Sequence, residues 1–234
     1  MRRSVPDVSE DSRLHVLDAT GLLDSAPEAA FDRLTRLATH LLDAPIALVS
    51  LVDRRRQFFK SALGLAEPWA SRRETPLTHS FCQHVVHDRA PLVVSDAREH
   101  PRLRDSLAIP DLGFVAYAGF PLFIAGEAIG AFCVIDRQPR AWAADKLRLV
   151  EDLAALVVSE IELRLALQAE HAQRALTSAI VESIGDACLA VDASGTMPPP
   201  KSEAAPATRC DSAHMSVKRS MNSFSRRRSS SSPA

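Results

Sequence analysis

Four side chains with metal-binding or redox chemistry crowd into one short stretch: His79, Cys82, His84 and His87. Imidazole nitrogen and thiolate sulfur are ligands for zinc, haem iron and copper. On a helix over 77–87, His79 and Cys82 stand three apart and share a face, as do His84 and His87. A metal centre also needs ligands at recognisable spacing on a second element, and no such set accompanies the cluster. The expectation is therefore no metal. The competing reading makes Phe81 and Cys82 core residues and the histidines polar decoration.

Cysteine chemistry is the other candidate. Cys82, Cys133, Cys188 and Cys210 lie far apart with no CxxC pair, which reads as reduced thiols in a cytoplasmic protein. Thiol catalysis requires a low-pKa cysteine and a resolving partner. Cys82 and Cys133 meet if the helix of the first packs on the strand of the second. Cys133, however, sits inside an apolar run, where a small buried thiol is the common case. Tyr117, the single tyrosine, either offers a hydroxyl to a pocket or packs with its hydroxyl at an edge. Asp53, Asp96 and Asp136 each follow an apolar run and read as turn formers rather than acids. Phosphate-loop, nucleophile-elbow, HExxH and kinase signatures are all missing from the sequence, so no catalysis is expected.

The elements that must position these residues follow from periodicity and punctuation. Arg13 to Leu23 reads as a short helix stopped by Gly21. Asp24 to Glu28 has the grammar of a helix start, with a capping Asp or Ser and a proline in the first turn. Phe31, Leu34, Leu37, Ala38, Leu41 and Leu42 then follow at helical spacing. Ile46 to Val52 is a buried central strand, and Gln57 to Ser61 is its hairpin partner. Gly64 to Pro76 reads as loop, Leu77 to His87 as helix and Pro91 to Ser95 as strand. A short helix is expected around Leu103–Leu107. Phe114 to Ile124 and Ala128 to Ile135 form two further strands. Trp142 to about Ser183 contains no Gly or Pro and reads as one long helix. Strands grouped between helices, with two hairpins, predict an α+β fold with an antiparallel sheet.

The chain has 234 residues and a net charge of −1, with seven basic and two acidic residues in 197–234 and 21 basic against 27 acidic in 1–196. A mildly acidic body excludes an electrostatic case for nucleic acid. No apolar targeting segment follows Met1. The longest apolar stretch, Ala116 to Gly126, falls short of the ~20 residues that span a bilayer. No membrane association is expected.

Several strings resemble bacterial GAF sensor domains. They include Gly21-Leu22-Leu23-Asp24, Phe31-Asp32-Arg33-Leu34-Thr35, Pro45 to Asp53, Gln57-Phe58-Phe59-Lys60-Ser61 and Gly64-Leu65. Ser80-Phe81-Cys82-Gln83-His84, Pro91-Leu92-Val93-Val94, Tyr117 to Leu122 and Cys133-Val134-Ile135-Asp136 continue them in family order. The resemblance covers roughly residues 13–165. It implies a GAF fold: a central antiparallel β-sheet flanked by helices, a small-molecule pocket on one face, and a long C-terminal signalling helix. It further implies a cytoplasmic multidomain setting whose output is a histidine kinase, cyclase, phosphatase or transcription regulator, two-component systems included. Bilin attachment in such domains uses a Cys-His dipeptide, which Gln83 interrupts here. The Asn-Lys…Phe…Asp-Glu pattern of cyclic-nucleotide binders is not evident. The sequence names no cofactor.

Residues 180–196 resemble the opening of a PAS sensor domain, but a whole domain needs on the order of 100 residues. The next 38 residues hold ten Ser and five Pro and no sustained period, so no stable structure is expected from Met197 onward. An out-of-frame tail and a native disordered tail are the two explanations. The domain plan is thus a disordered N-terminus over 1–12, a GAF domain over 13–165, a helix extension over 166–183, a PAS fragment over 180–196 and a tail over 197–234.

Phe81, Cys82, Tyr117 and His84 are expected to border a ligand-binding cavity against the sheet. In the long helix, Val150, Ala154, Val157, Ile161 and Leu165 form one apolar stripe. Leu149, Leu153, Leu156, Leu163 and Leu167 form a second. Two stripes imply two burial partners, the parent domain and a second chain, so a parallel coiled-coil homodimer through 150–180 is expected. The functional expectation is a sensory or regulatory module acting through that helix. The alternatives are a ligand-free dimerisation unit and a thiol-dependent reductase of methionine sulfoxide, a chemistry that the GAF fold also supports.

Overall fold

The computed structural model describes residue 8 and residues 10–189, with side chains through residue 182. The chain divides into two compact units, Met1–Ile180 and Val181–Ala234. Of the second, only the helical residues 181–189 are described. Within the first, two helices, α1 (Asp11–Ala19) and α2 (Ala29–Leu42), precede the hairpin β1 (Ile46–Val52) and β2 (Arg56–Leu63). Next come α3 (Trp69–Arg72), β3 (Glu74–Pro76), a 3-10 turn over Leu77–His79, α4 (Cys82–Asp88), β4 (Leu92–Val94) and α5 (Ala108–Leu112). A second hairpin, β5 (Ala116–Ile124) and β6 (Glu127–Asp136), leads into α6 (Ala144–Leu189).

The six strands form one antiparallel sheet in the order β3-β2-β1-β6-β5-β4. The predicted α+β class with an antiparallel sheet is the one observed. Every residue of β1 is buried, because both faces of the sheet are covered. Ala47, Val49 and Leu51 point to a core shared with Leu17 of α1, Phe31 and Leu42 of α2, and Val157 and Ile161 of α6. Ile46, Leu48 and Val52 point the other way, to Phe81 and Val85 of α4 and Leu112 of α5. A strand buried on both sides needs an unbroken apolar run, and that is why Ile46–Val52 shows no alternation.

Four local expectations shift. The α2 start predicted at Asp24–Ser25 lies at Glu28, without a side-chain cap. Asp24 instead takes a left-handed turn conformation at φ 57°, and the Ser25 hydroxyl bonds the Leu22 carbonyl. The stretch read as loop over 64–76 contains α3 and β3, elements of four and three residues, too short to leave a period in sequence. The short helix expected near 103–107 forms at Ala108–Leu112, where Pro110 lies in the first turn and costs no backbone hydrogen bond. Helix α6 runs through Gly185 to Leu189 rather than ending near Ser183. One glycine costs only about 1 kcal/mol in a helix. The rest of the segment likened to a PAS opening, and the tail from Met197, lie outside the described residues.

The two stripes of α6 separate by function. Val150, Leu153, Ala154, Val157 and Ile161 are buried against the sheet, and Leu165 packs at the edge of that core. Leu156, Leu163 and Leu167 stand exposed, and every residue from 166 to 182 is exposed. Leu153, assigned from sequence to the outer stripe, belongs to the inner one. Among the described residues no helix is long and apolar enough to cross a membrane.

Candidate functional site

The site grows from a break in a helix. Ser80 adopts extended backbone at φ −106°, ψ 120°, which separates the 3-10 turn from α4. Its hydroxyl accepts a hydrogen bond from the Gln83 N–H at 3.1 Å, the service an N-cap residue performs. The helix expected over 77–87 is therefore two elements, and His79 does not share a face with Cys82. His79 turns to α5, where Nε2 meets Asp111 Oδ2 at 2.9 Å, while Nδ1 meets Thr78 Oγ1 at 3.0 Å. Among the described residues no three His, Cys, Asp or Glu side chains converge as metal ligands would.

The break aims Cys82, in the first turn of α4, at the sheet. Its Sγ lies 3.7 Å from Cys133 Sγ on β6, and the Tyr117 hydroxyl of β5 donates to it at 3.3 Å. Phe81 stands edge-on to the Tyr117 ring with centroids 5.5 Å apart. Phe81 and Cys82 are 2% exposed, Tyr117 and Cys133 fully buried. The tyrosine fits because the residue two positions on is Gly119, where an added Cβ would lie 2.2 Å from the Tyr117 hydroxyl. Three of the four candidate residues thus come together, filling the space between α4 and the sheet with their own side chains.

Electrostatics divides the two thiols. Burial pushes the Cys82 thiol up, but hydrogen bonds from Cys133, Tyr117 and Ser50 outweigh it, and the net shift is down. Burial pushes the Cys133 thiol up, and donating to Cys82 beside a developing thiolate pushes it further. Burial and the same two sulfurs push Tyr117 well up. The cluster favours one thiolate, on Cys82, with two neutral groups donating to it.

His84, the fourth candidate, is 5% exposed and its Nδ1 has no partner. Its neighbours are not the sulfurs but Arg102, Asp88, His100 and His87. Burial and the Arg102 charge lower its pKa to about 4.

Sequence reasoning missed a polar chain beside this cluster. The Ser80 hydroxyl donates to Gln57 Oε1 of β2, and Gln83 Nε2 donates to the Leu77 and Ser80 carbonyls at 2.8 Å each. Thr75 of β3 pairs with Gln57 in register. All four are at most 4% exposed. Buried polar atoms are rarely left without a partner, yet Thr75 Oγ1 and Gln83 Oε1 have none. The Gln57 and Gln83 positions carried a signal, since a glutamine inside a buried strand or helix face is uncommon.

On the other face, Lys60 is 1% exposed. It sits at a register shift between β1 and β2, where Val49 pairs Ser61 and Ser50 pairs Phe59. Two residues after Phe58, it points by ordinary alternation to the face that carries Phe31 and the α1–α2 loop, and the bulge turns Ser61 to that face as well, onto Thr35 and Asp32. Its ammonium donates to Ser25 Oγ and the Ala26 carbonyl at 2.7 Å each and to Glu28 Oε1 at 2.5 Å. Arg164 of α6 binds the same Glu28 oxygen. Burial raises the Glu28 pKa, but the two cations outweigh it and hold the carboxylate below its ordinary range. One carboxylate therefore ties the sheet to the C-terminal helix.

With this geometry in view, the chain compares with known proteins as follows. Residues 26–161 match the model of the GAF domain. The chain is a member of the GAF family. It is 36% identical over 157 residues to a cyclic di-GMP phosphodiesterase of Pseudomonas aeruginosa, covering 65% of this chain and 26% of the relative. The chain thus spans about a quarter of that protein's length. The GAF domain of a phosphoenolpyruvate-protein phosphotransferase from Coxiella burnetii superposes with a TM-score of 0.51 at 19% identity, over 67% of this chain and 96% of that one. A domain of a putative two-component sensor histidine kinase from Sinorhizobium meliloti gives a TM-score of 0.48 at 20% identity, over 64% and 99%. The expected family and GAF fold hold, and the matched region lies inside the residues that suggested them.

Proposed function

We propose that this GAF domain is a non-catalytic cytoplasmic sensory module that binds a small polar molecule and passes the change through α6, paired with a second copy, to an output domain. The observation that carries the reading is the pair of buried oxygens without partners, Thr75 Oγ1 and Gln83 Oε1, on the sheet face beneath α4. An unmet buried oxygen costs about 1–3 kcal/mol, and a ligand offering N–H or O–H donors removes that cost. The relative named as a cyclic di-GMP phosphodiesterase supports a role in signalling. Closure around Cys82 and Cys133, at most 2% exposed, argues against an enzyme that must admit methionine sulfoxide to a sulfur. The outer leucines of α6 support pairing with a second copy.

Native mass spectrometry of the full chain, purified from its own host, tests the ligand. A bound mass that disappears in Gln83→Met supports the reading. A bare chain in both preparations overturns it and leaves a dimerisation unit without ligand.

A further inference from the structure

Cys82 and Cys133 are both free thiols, and they belong to elements of different kind and length. Cys133 lies in a ten-residue strand at the centre of the sheet. Cys82 opens α4, a helix of seven residues. Their sulfurs are 3.7 Å apart, so a covalent S–S distance requires a further approach of about 1.7 Å. Rotation about χ1 and a small shift of α4 supply that approach. The Tyr117 hydroxyl lies within reach of both sulfurs and donates to Cys82 Sγ at 3.3 Å, while Ser50 adds a hydrogen bond to Cys82, so Cys82 is the sulfur that collects donors. A thiol that receives hydrogen bonds becomes the nucleophile, and a neutral neighbour within reach resolves the oxidised product.

We propose that Cys82 and Cys133 are an oxidation site, converted by a hydroperoxide into a reversible cystine that staples α4 to β6. The Cys82 thiolate attacks the peroxide oxygen, the O–O bond breaks, and the alcohol or water leaves with the thiol proton. Cys82 is then a sulfenic acid. Cys133 Sγ attacks Cys82 Sγ, the S–O bond breaks, and the departing hydroxide takes the Cys133 proton to leave as water. Two thiols lose two electrons, and the hydroperoxide is reduced to its alcohol or water plus one further water. Both sulfurs are buried, so the reagent must be small. Hydrogen peroxide, scarcely larger than water, enters through the local openings of a short helix. The cystine removes the acceptor of the Tyr117 hydroxyl and draws in α4, the element that carries Gln83. Oxidation thereby reshapes the sheet face beneath α4, whether or not that face holds a ligand.

The test is hydrogen peroxide treatment of the full chain, followed by denaturation, alkylation of remaining thiols and peptide mapping. The expected product is a Cys82–Cys133 cystine within one chain, reversed by a dithiol. In a Cys188→Ser/Cys210→Ser variant the intact chain should lose two hydrogens and stay monomeric across the new bond. Cys133→Ala should arrest Cys82 as a sulfenic acid captured by a 1,3-dione. Tyr117→Phe should slow oxidation about tenfold by removing a hydrogen bond to the thiolate. Three results overturn the proposal: cystines only through Cys188 or Cys210, conversion of Cys82 to sulfinic acid without pairing, or Cys82 still fully alkylated after peroxide in the serine double variant.

Discussion

Tyr117 lies across the face of Gly119, two residues on along the same strand, so closely that a Cβ there would meet the hydroxyl at 2.2 Å and ring carbons at 2.5–2.6 Å. Gly119→Ala should therefore destabilise the domain by about 2–3 kcal/mol through displaced packing. Tyr117→Phe, which removes one hydrogen bond but keeps the ring, should cost about 1 kcal/mol. Tyr117→Leu combined with Gly119→Ala should cost less than the two single changes together, because the clash is with the ring. Urea unfolding of the four proteins checks the ordering.

His84 predicts an acid-sensitive window. Its folded pKa of about 4 lies below the ordinary 6.5, so the unfolded chain takes up the proton first as pH falls. The stability present above pH 6.5 is lost between there and about pH 4, to a total of about 3 kcal/mol. The facing groups are Arg102 and His100 from the loop, with Asp88 and His87 from α4. Glu28 is also held low by its cations and contributes in the same direction, but only below its ordinary value of 4.5. Urea midpoints at pH 7.5 and 5 should fall less for His84→Gln than for the native protein. Equal falls would dismiss the assignment.

In the Lys60–Glu28–Arg164 contact only Lys60 is fully enclosed, while the Glu28 side chain is 34% and Arg164 25% exposed. Glu28→Gln removes the countercharge of Lys60, which keeps the Ser25 and Ala26 oxygens, and with Glu28 34% exposed it should cost about 1–3 kcal/mol. Lys60→Met leaves Glu28 paired with Arg164 and should cost far less. The double variant should recover much of the Glu28→Gln loss, a coupling read from a double-mutant cycle in denaturant.

Exposure divides the leucines of α6. Leu163, 56% exposed, should tolerate Leu163→Glu with a change within about 0.5 kcal/mol in the isolated domain. In the full chain the same change should convert a dimer to a monomer by light scattering. Ile161→Glu cannot make this test, since Ile161 is fully buried against its own sheet and its loss would unfold the domain. A native chain that scatters as a monomer at tens of micromolar would falsify helix pairing.

Legibility followed length and period. The strands Ile46–Val52, Ala116–Ile124 and Glu127–Asp136 were visible because a doubly covered strand writes an apolar run. Asp96 and Asp136 were rightly read as turn formers, each accepting a backbone N–H two residues on. The helix break at Ser80 carried only a short signal, the Ser80-x-x-Gln83 spacing of a helix cap that the hydroxyl fulfils toward the Gln83 N–H, and the acceptable helical composition of Leu77 to His87 masked it. Phe81, Cys82 and Tyr117 could be grouped from family order. The Thr75–Gln57–Ser80–Gln83 chain joins β2, β3 and α4 across 27 positions, a closure that no local pattern announces. Lys60 was hidden for a different reason: alternation sends it to the same covered face as Phe58, but a lysine carries no apolar signal, and its partners Ser25, Ala26 and Glu28 lie more than thirty positions away.

Helix α6 is gripped by the sheet as far as Ile161, held at Arg164 by Glu28, and bare from residue 166. Mechanically this is a beam clamped over its first half. The fifteen unclamped residues to Ile180 extend about 22 Å at 1.5 Å per residue. A tilt of about 5° at the clamp sweeps the far end through roughly 2 Å over that length. The carboxylate of Glu28 sits where the clamp stops, so a change in one ion pair is multiplied by the whole free span.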